Sequence, residues 1–197
     1  MTETNTIITS AVDAAIEFSN KNLRGLIHTV HHIPNYMLDK TKETGSSEWS
    51  YWKPIKADIQ ATDILNYEET VGIKLPKSYI QFLTYLYFIE LNFGHDIEFF
   101  KHTRQWIPDN LDIINRWGHD KTTNKGFLPF ANSTDLGIVC FNSNNPYPDN
   151  EFDIILLTRQ DIDTPQIIHR GRFSFVELLI EMTQTLNKWK LSKQNGG

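Results

Sequence analysis

Val71-Gly72-Ile73-Lys74-Leu75-Pro76-Lys77-Ser78-Tyr79-Ile80-Gln81-Phe82-Leu83 is the stretch that decides the fold. A glycine and a proline stand four residues apart, and each carries a backbone instruction. Gly72 suits the left-handed conformation that closes a helix, and Pro76 suits the first turn of a new one. From Pro76 onward, Tyr79, Phe82, Leu83 and Leu86 recur at helical spacing, so the second helix presents an aromatic and aliphatic face to a core. The segment predicts two helices joined by a tight turn, and it contains packing residues with no chemistry.

Working outward, Thr62 and Asp63 are N-cap candidates for the helix that ends near Val71, and the proline-started helix is expected to run to about Leu91. Residues 97–100 read as a short strand, and residues 110–117 as a short helix after Pro108. Residues 127–131 and 137–141 are strand-like and flank Asn132-Ser133-Thr134-Asp135, a run of turn formers, which predicts a hairpin. Residues 152–157 and 166–169 are further strand candidates. Ser174-x-x-Glu177 is a capping box placed before Phe175, Leu178, Leu179, Met182 and Leu186, so a closing helix is expected there. Helices, several antiparallel strands and a final helix make an α+β domain.

These residues resemble a known family. Trp52-Lys53-Pro54-Ile55, Ile64-Leu65-x-x-Glu68, the Gly72/Leu75/Pro76/Tyr79/Phe82 turn, Gly126-Phe127-Leu128-Pro129-Phe130-Ala131, Asp135-Leu136-Gly137-Ile138-Val139-Cys140-Phe141 and Phe173-Ser174-Phe175-Val176-Glu177-Leu178-Leu179 follow one another as in the SUKH superfamily. That group comprises bacterial toxin-immunity proteins and fungal cell-wall-assembly regulators. The resemblance spans about Trp52 to Trp189, and implies a mostly antiparallel central sheet flanked by helices. Two positions depart from the family pattern. Glu90-Leu91-Asn92-Phe93-Gly94 stands where Asn-Gly-Gly is common, and Asn142 where an acid is common.

The chain has 197 residues, 40% of them hydrophobic and 12% aromatic, enough for one sizeable core. Nineteen basic residues against 24 acidic ones give a net charge of -5, which argues against nucleic acid or an anionic membrane as the main partner. Cys140 is the single cysteine, so an intramolecular disulfide and a cysteine-based zinc site are excluded. The start, Met1-Thr2-Glu3-Thr4, is not that of a signal peptide, and no apolar run reaches the roughly 20 residues of a membrane span. A cytoplasmic protein is expected.

Outside the resemblance, Ile8, Val12, Ala15, Ile16, Leu23, Leu26, Ile27 and Val30 lie at helical spacing, with Pro34 as the stop. An added N-terminal helix is therefore expected, its stripe requiring burial. Residues 39–50, with Gly45-Ser46-Ser47 among charges, read as linker or exposed loop. The expected organisation is an extension over 1–48, a SUKH-like domain over 49–190 and a tail over 191–197.

Candidate chemistry is sparse. His28 and His32, four apart on the expected first helix, suit one metal ion but lack a third ligand, and favourable histidine–dipole contact in a last helical turn explains them without one. His95-Asp96, His102, His119-Asp120, Asp135 and His169 supply acid–base groups for a hydrolytic site only if folding gathers them, and no nucleophile-elbow, phosphate-loop or metalloprotease pattern accompanies them. Cys140, in a central strand, reads as a small buried hydrophobe. No catalytic residue, metal or cofactor is expected. Trp49, Trp52, Trp106 and Trp117 are either core residues or interface anchors.

Residues 142–163 carry Asp149, Glu151, Asp153, Asp161 and Asp163 against Arg159 alone, a charge of -4. The part from Asn142 to Asn150 is too polar and proline-rich for a strand. Tyr147, Asp149, Glu151 and Asp153 are the partner-binding candidates, offering exposed acids and an aromatic ring to a basic surface; a solvated loop with no role is the alternative. The family resemblance implies a non-catalytic interaction module, an immunity protein that occludes a basic toxin domain of nuclease or deaminase type. A regulatory scaffold of the cell-wall-regulator kind, and an uncharacterised hydrolase, stay open.

Overall fold

Gly72 ends its helix with φ 71° and its N–H donates to Glu68 O at 2.9 Å; the chain turns, and Pro76 starts the next helix with φ -56°. Around that turn the computed structural model, which describes residues 2–22, 25–94, 96–133, 137–158, 166–167 and 172–194, places the other elements. The chain opens with α1 (Glu3–Asn22), β1 (Ile27–Thr29), β2 (Trp49–Tyr51) and β3 (Ile55–Lys56). The two helices of the turn are α2 (Ala61–Val71) and α3 (Lys77–Leu83), followed by β4 (Leu86–Tyr87), β5 (Ile97–Phe99) and α4 (Trp106–Trp117). Last come β6 (Phe127–Ser133), β7 (Gly137–Asn142), β8 (Asp153–Thr158), β9 (Gln166–Ile167) and α5 (Phe175–Gln194).

Strands β5 to β9 lie side by side in chain order, every pair antiparallel, and β1–β2 and β3–β4 form separate ribbons. This is an α+β fold. Because side chains alternate along a strand, the central sheet buries two faces. Leu128, Phe130, Val139, Phe141, Ile154 and Leu156 point into the main core, while Phe127, Ile138, Cys140, Ile155 and Leu157 form a second, smaller cluster beside Trp117. Gly137 opens β7 with φ 155°, and a side chain there would meet Leu157 O at 1.9 Å, so the β7–β8 pairing requires glycine. Pro129 sits in β6 where the register with β7 shifts, a place that tolerates a missing N–H.

The main core is aromatic where the helical turn meets the sheet. Tyr79 and Phe82 of α3 lie 5.3 and 5.2 Å from the Phe175 ring of α5, and Phe141 lies 4.9 Å from Tyr79 and 4.2 Å from Phe130. Helix α1 packs its Ile8, Ala11, Val12, Ala15 and Phe18 into the same core, with Phe18 edge-on to Trp189 of α5 at 4.7 Å. Ile33, Met37 and Trp52 belong to that core too. Helix α5 continues through residue 190 to Gln194.

Several elements differ from the sequence-based expectation. Helix α1 stops at Asn22 instead of near Val30, because Ile27–Thr29 pairs with Trp49–Tyr51 and Leu26 O accepts from Trp52 N at 2.8 Å. Leu26, Ile27 and Val30 continued the helical spacing only by coincidence. Helix α3 stops at Leu83 instead of near Leu91: Leu86 and Tyr87 pair with Lys56 and Ile55, and Phe88 exchanges backbone hydrogen bonds with His102. Helix α4 begins at Trp106, so Pro108 lies inside its first turn, where its absent N–H would have no helical partner. The N-cap of α2 is Gln60, whose N–H donates to the Asp63 carboxylate at 2.8 Å, in place of Thr62 or Asp63. Of the capping box expected at Ser174, the Glu177 side-chain half is formed, with Ser174 N and Oγ both donating to Glu177 Oε2, at 2.6 and 2.5 Å. Among the described residues, no helix is long and apolar enough to cross a membrane.

Candidate functional site: the acidic loop on the helical turn

Helix α3 begins with an unsolved problem. Pro76 at its N-cap offers no side-chain acceptor, so the first N–H groups of the helix need one from elsewhere. The loop between β7 and β8 supplies it. Lys77 N donates to Asn150 O at 3.3 Å, Ser78 N to Glu151 Oε1 at 2.8 Å and Ser78 Oγ to Glu151 Oε2 at 2.6 Å. Asn150, with φ 61°, returns a bond from Nδ2 to Leu75 O at 3.1 Å. A loop acid 73 residues away thus caps α3.

The rest of the loop is braced in the same way. Tyr147 OH donates to Asp153, which also accepts from Phe173 N at 3.2 Å. The Arg172 guanidinium pairs with Asp149 and lies over the Tyr147 ring, 4.4 Å from its centre. At the other end, Ser143 N and Oγ donate to Gly126 O, and Asn144 Nδ2 to Lys125 O at 2.9 Å. Residues 144–146 and 148–150 are exposed.

Electrostatics follow from these contacts. Arg172 holds the Asp149 carboxyl below its usual range. Burial pushes Glu151 up, against the two bonds from Ser78 that favour its ionised form. Tyr147 is raised to about 12, by burial first and then by Asp153.

Of the partner-binding candidates, the loop brings Tyr147, Asp149 and Asp153 together at its surface, but Glu151 is only 8% exposed. The expectation of an exposed acid at Glu151 is therefore corrected: a carboxylate that satisfies two donors of a buried helix start turns inward. Sequence reading also missed Ser78 and Arg172. A proline N-cap followed by a serine is a signal that an outside acceptor is needed, whereas nothing local links Arg172 to Asp149.

Among the described residues, His102, His119 and Cys140 each have separate surroundings. His102 is buried, its Nε2–H donates to Leu83 O at 2.7 Å, and burial lowers it to about 4. His119 is held by Asn115 Oδ1 and Thr123 Oγ1, each at 2.9 Å. Cys140 is fully buried, which raises its thiol well above the ordinary range. His95, His169 and Asp135 lie outside the described residues. His28 and His32 do meet, with ring centres 5.3 Å apart and Thr29 Oγ1 3.2 and 3.0 Å from their Nδ1 atoms, but on a strand and a 3-10 turn rather than on one helix. Among the described residues, no group of three or more His, Cys, Asp or Glu side chains is arranged to hold a metal ion. Trp52 and Trp106 are core residues, Trp117 packs on the smaller cluster, and Trp49 is 46% exposed.

Comparison with known proteins adds the ancestry. The model of the SMI1/KNR4 family (SUKH-1) matches residues 58–177, from just before α2 through the helical turn, the sheet and the acidic loop to the capping box of α5. No curated protein matches the chain. The match covers more than half of the 197 residues, and the chain belongs to the SMI1/KNR4 family (SUKH-1).

Proposed function

From this membership we propose that the chain is a non-catalytic protein-interaction module, an immunity protein that binds a bacterial toxin and neutralises it by covering the toxin's working surface. The family match carries the reading, since SUKH domains are commonly immunity proteins and generally non-catalytic. The geometry is compatible with it. His102 and His119 serve separate local contacts, and the single thiol is in the core. The partner in this proposal is a basic toxin domain of nuclease or deaminase type, met in the cytoplasm by an acidic chain.

The proposed contact is the braced loop. Tyr147 and Asp149 stand at its surface, Asp153 fixes the tyrosine, and Glu151 fixes the whole loop to α3. A preorganised loop loses less conformational entropy on binding than a free one. The test is binding of the purified chain to the protein encoded beside it, together with protection of cells that express that neighbour. Binding with protection is the expected result. Absence of both in the presence of well-folded proteins would reject the immunity role.

A further inference from the structure

Helices α1 and α5 run side by side in the same direction: Ile7 and Ala11 share a groove with Ile180 and Thr183, and further along Phe18 meets Trp189. Their inner faces fill the core, whereas Ile180, Gln184, Asn187 and Leu191 stand exposed along the outer face of α5. Steps of four, three and four residues put these side chains in one line. Among the described residues four large hydrophobics are exposed, and two of them are on this line, Ile180 at 37% and Leu191 at 58%. A groove flanks it on each side. One, of about 300 Å³, opens between the helices and is lined by small and apolar residues of α1 together with Ile180 and Thr183. The other, of about 460 Å³, is lined by Glu177, Glu181 and Lys188, and both grooves share Ile180 and Gln184 as their common border. A ridge between two grooves is the relief that a packed helix fits, and α5 of a second copy carries that same relief.

Charge selects both the occupant and its direction. Glu177 and Glu181 lie in the N-terminal half of this face and Lys188 in its C-terminal half. Glu181 and Lys188 are two turns apart, about 10 Å along the axis, and neither is ion-paired with another described residue. We propose that this face joins two copies of the chain across a two-fold axis, with α5 antiparallel to α5. An axis passing between Gln184 and Thr185 sets Glu181 of one copy level with Lys188 of the other, and symmetry repeats the pair. It also brings Leu191 of each copy within two residues, about 3 Å along the axis, of Ile180 of the other, beside the apolar groove between α1 and α5. A parallel arrangement would set glutamate on glutamate and lysine on lysine. The face is therefore self-complementary in relief and in charge, as a closed two-fold contact requires. This inference goes beyond the immunity reading and does not rest on it.

Sedimentation equilibrium on the full chain tests it. The wild type is expected to pass from monomer to dimer as its concentration rises. Ile180→Glu and Leu191→Glu change exposed positions, so they should leave the circular dichroism spectrum unchanged while weakening dimerisation at least roughly tenfold. Charge exchange reads the direction. Glu181→Lys alone and Lys188→Glu alone each set like charges against one another twice and should weaken the dimer roughly tenfold, whereas the two together restore the opposite pairs and should recover it. A chain that stays monomeric up to about 0.2 mM would overturn the proposal, as would a dimer indifferent to Leu191→Glu or a double exchange no tighter than the single ones. A monomeric wild type whose binding to the neighbour-encoded protein is lost in Leu191→Glu would also overturn it, and would give this face to the toxin. Dimerisation with no binding of that neighbour would leave the contact standing while counting against the immunity role.

Discussion

The helical turn from Val71 to Leu83 and the loop from Asn142 to Asp153 touch each other, yet they carry information differently. In the turn, residue identity and backbone conformation agree locally: glycine where φ is positive, proline where a helix starts, aromatics where the helix faces the sheet. In the loop, the meaning of each acid depends on a residue far along the chain. Glu151 is defined by Ser78, and Asp149 by Arg172, 23 residues away. A stretch that counts as four negative charges in sequence therefore contains a structural cap and a neutralised pair. Charge summed along a window measures steering only after the internal partners have been subtracted.

That contrast is open to mutation. The largest effect belongs to the turn: Tyr79→Ala or Phe82→Ala should each cost about 4 kcal/mol, since both rings are buried against Phe175. Denaturant melts that lose less than about 1 kcal/mol would mean the turn is not the centre of the core.

Next comes the far end of α3, where His102 donates to Leu83 O. Its pKa is lowered from 6.5 to about 4, so the folded state resists the proton that the unfolded chain accepts. Its contribution is complete above pH 6.5 and is lost as the pH falls towards 4, a fall of about 3 kcal/mol. Stability measured from pH 7 to 4 should drop steeply in the wild type and less in His102→Gln; parallel curves would place the acid sensitivity elsewhere.

The loop's own structural claim is third. Glu151→Ala leaves the Ser78 donors without their acceptor and should cost about 2 kcal/mol. Glu151→Gln keeps an acceptor and removes the charge, and should cost less. With a raised pKa, the wild-type carboxyl contributes stability below its usual 4.5 that is lost as the pH rises through the raised value, and the Gln variant should lack that component. An Ala variant as stable as wild type would restore Glu151 to the set of free surface acids.

Two smaller effects sharpen the picture. Gly72→Ala should cost about 1 kcal/mol, set by backbone strain alone, because the space around its Cβ is open. Asp149→Asn should change stability by less than about 0.5 kcal/mol, as its pair with Arg172 is half exposed on both sides. Were Asp149 to contact a basic partner, the same variant would slow association at low salt more than at physiological salt, which stopped-flow mixing reads directly.

Local signals made the turn, the hairpin and the capped closing helix readable in advance. Element ends were harder. Helix α3 stops at Leu83 because Tyr87 and Phe88 find backbone partners at Ile55 and His102, and no helical spacing rule can foresee that competition. The ends of α1 hid for the same reason. His28 and His32 were paired on the wrong geometry and met on another. Of the site, Tyr147, Asp149 and Asp153 were legible as a loop cluster, while Ser78 and Arg172 were not, since each acquires its role only when distant segments close on one another.

The cap that Glu151 places on Ser78 also sets an order of assembly. A nascent chain that has emerged only as far as β7 holds the turn and its aromatics but not the acceptor for the first N–H groups of α3. That helix, seven residues long, lacks the length to persist alone in water. It should become protected from hydrogen exchange only after the β7–β8 connection docks, so closing a contact of long sequence separation, rather than forming the helix, is expected to limit the rate at which the N-terminal half matures.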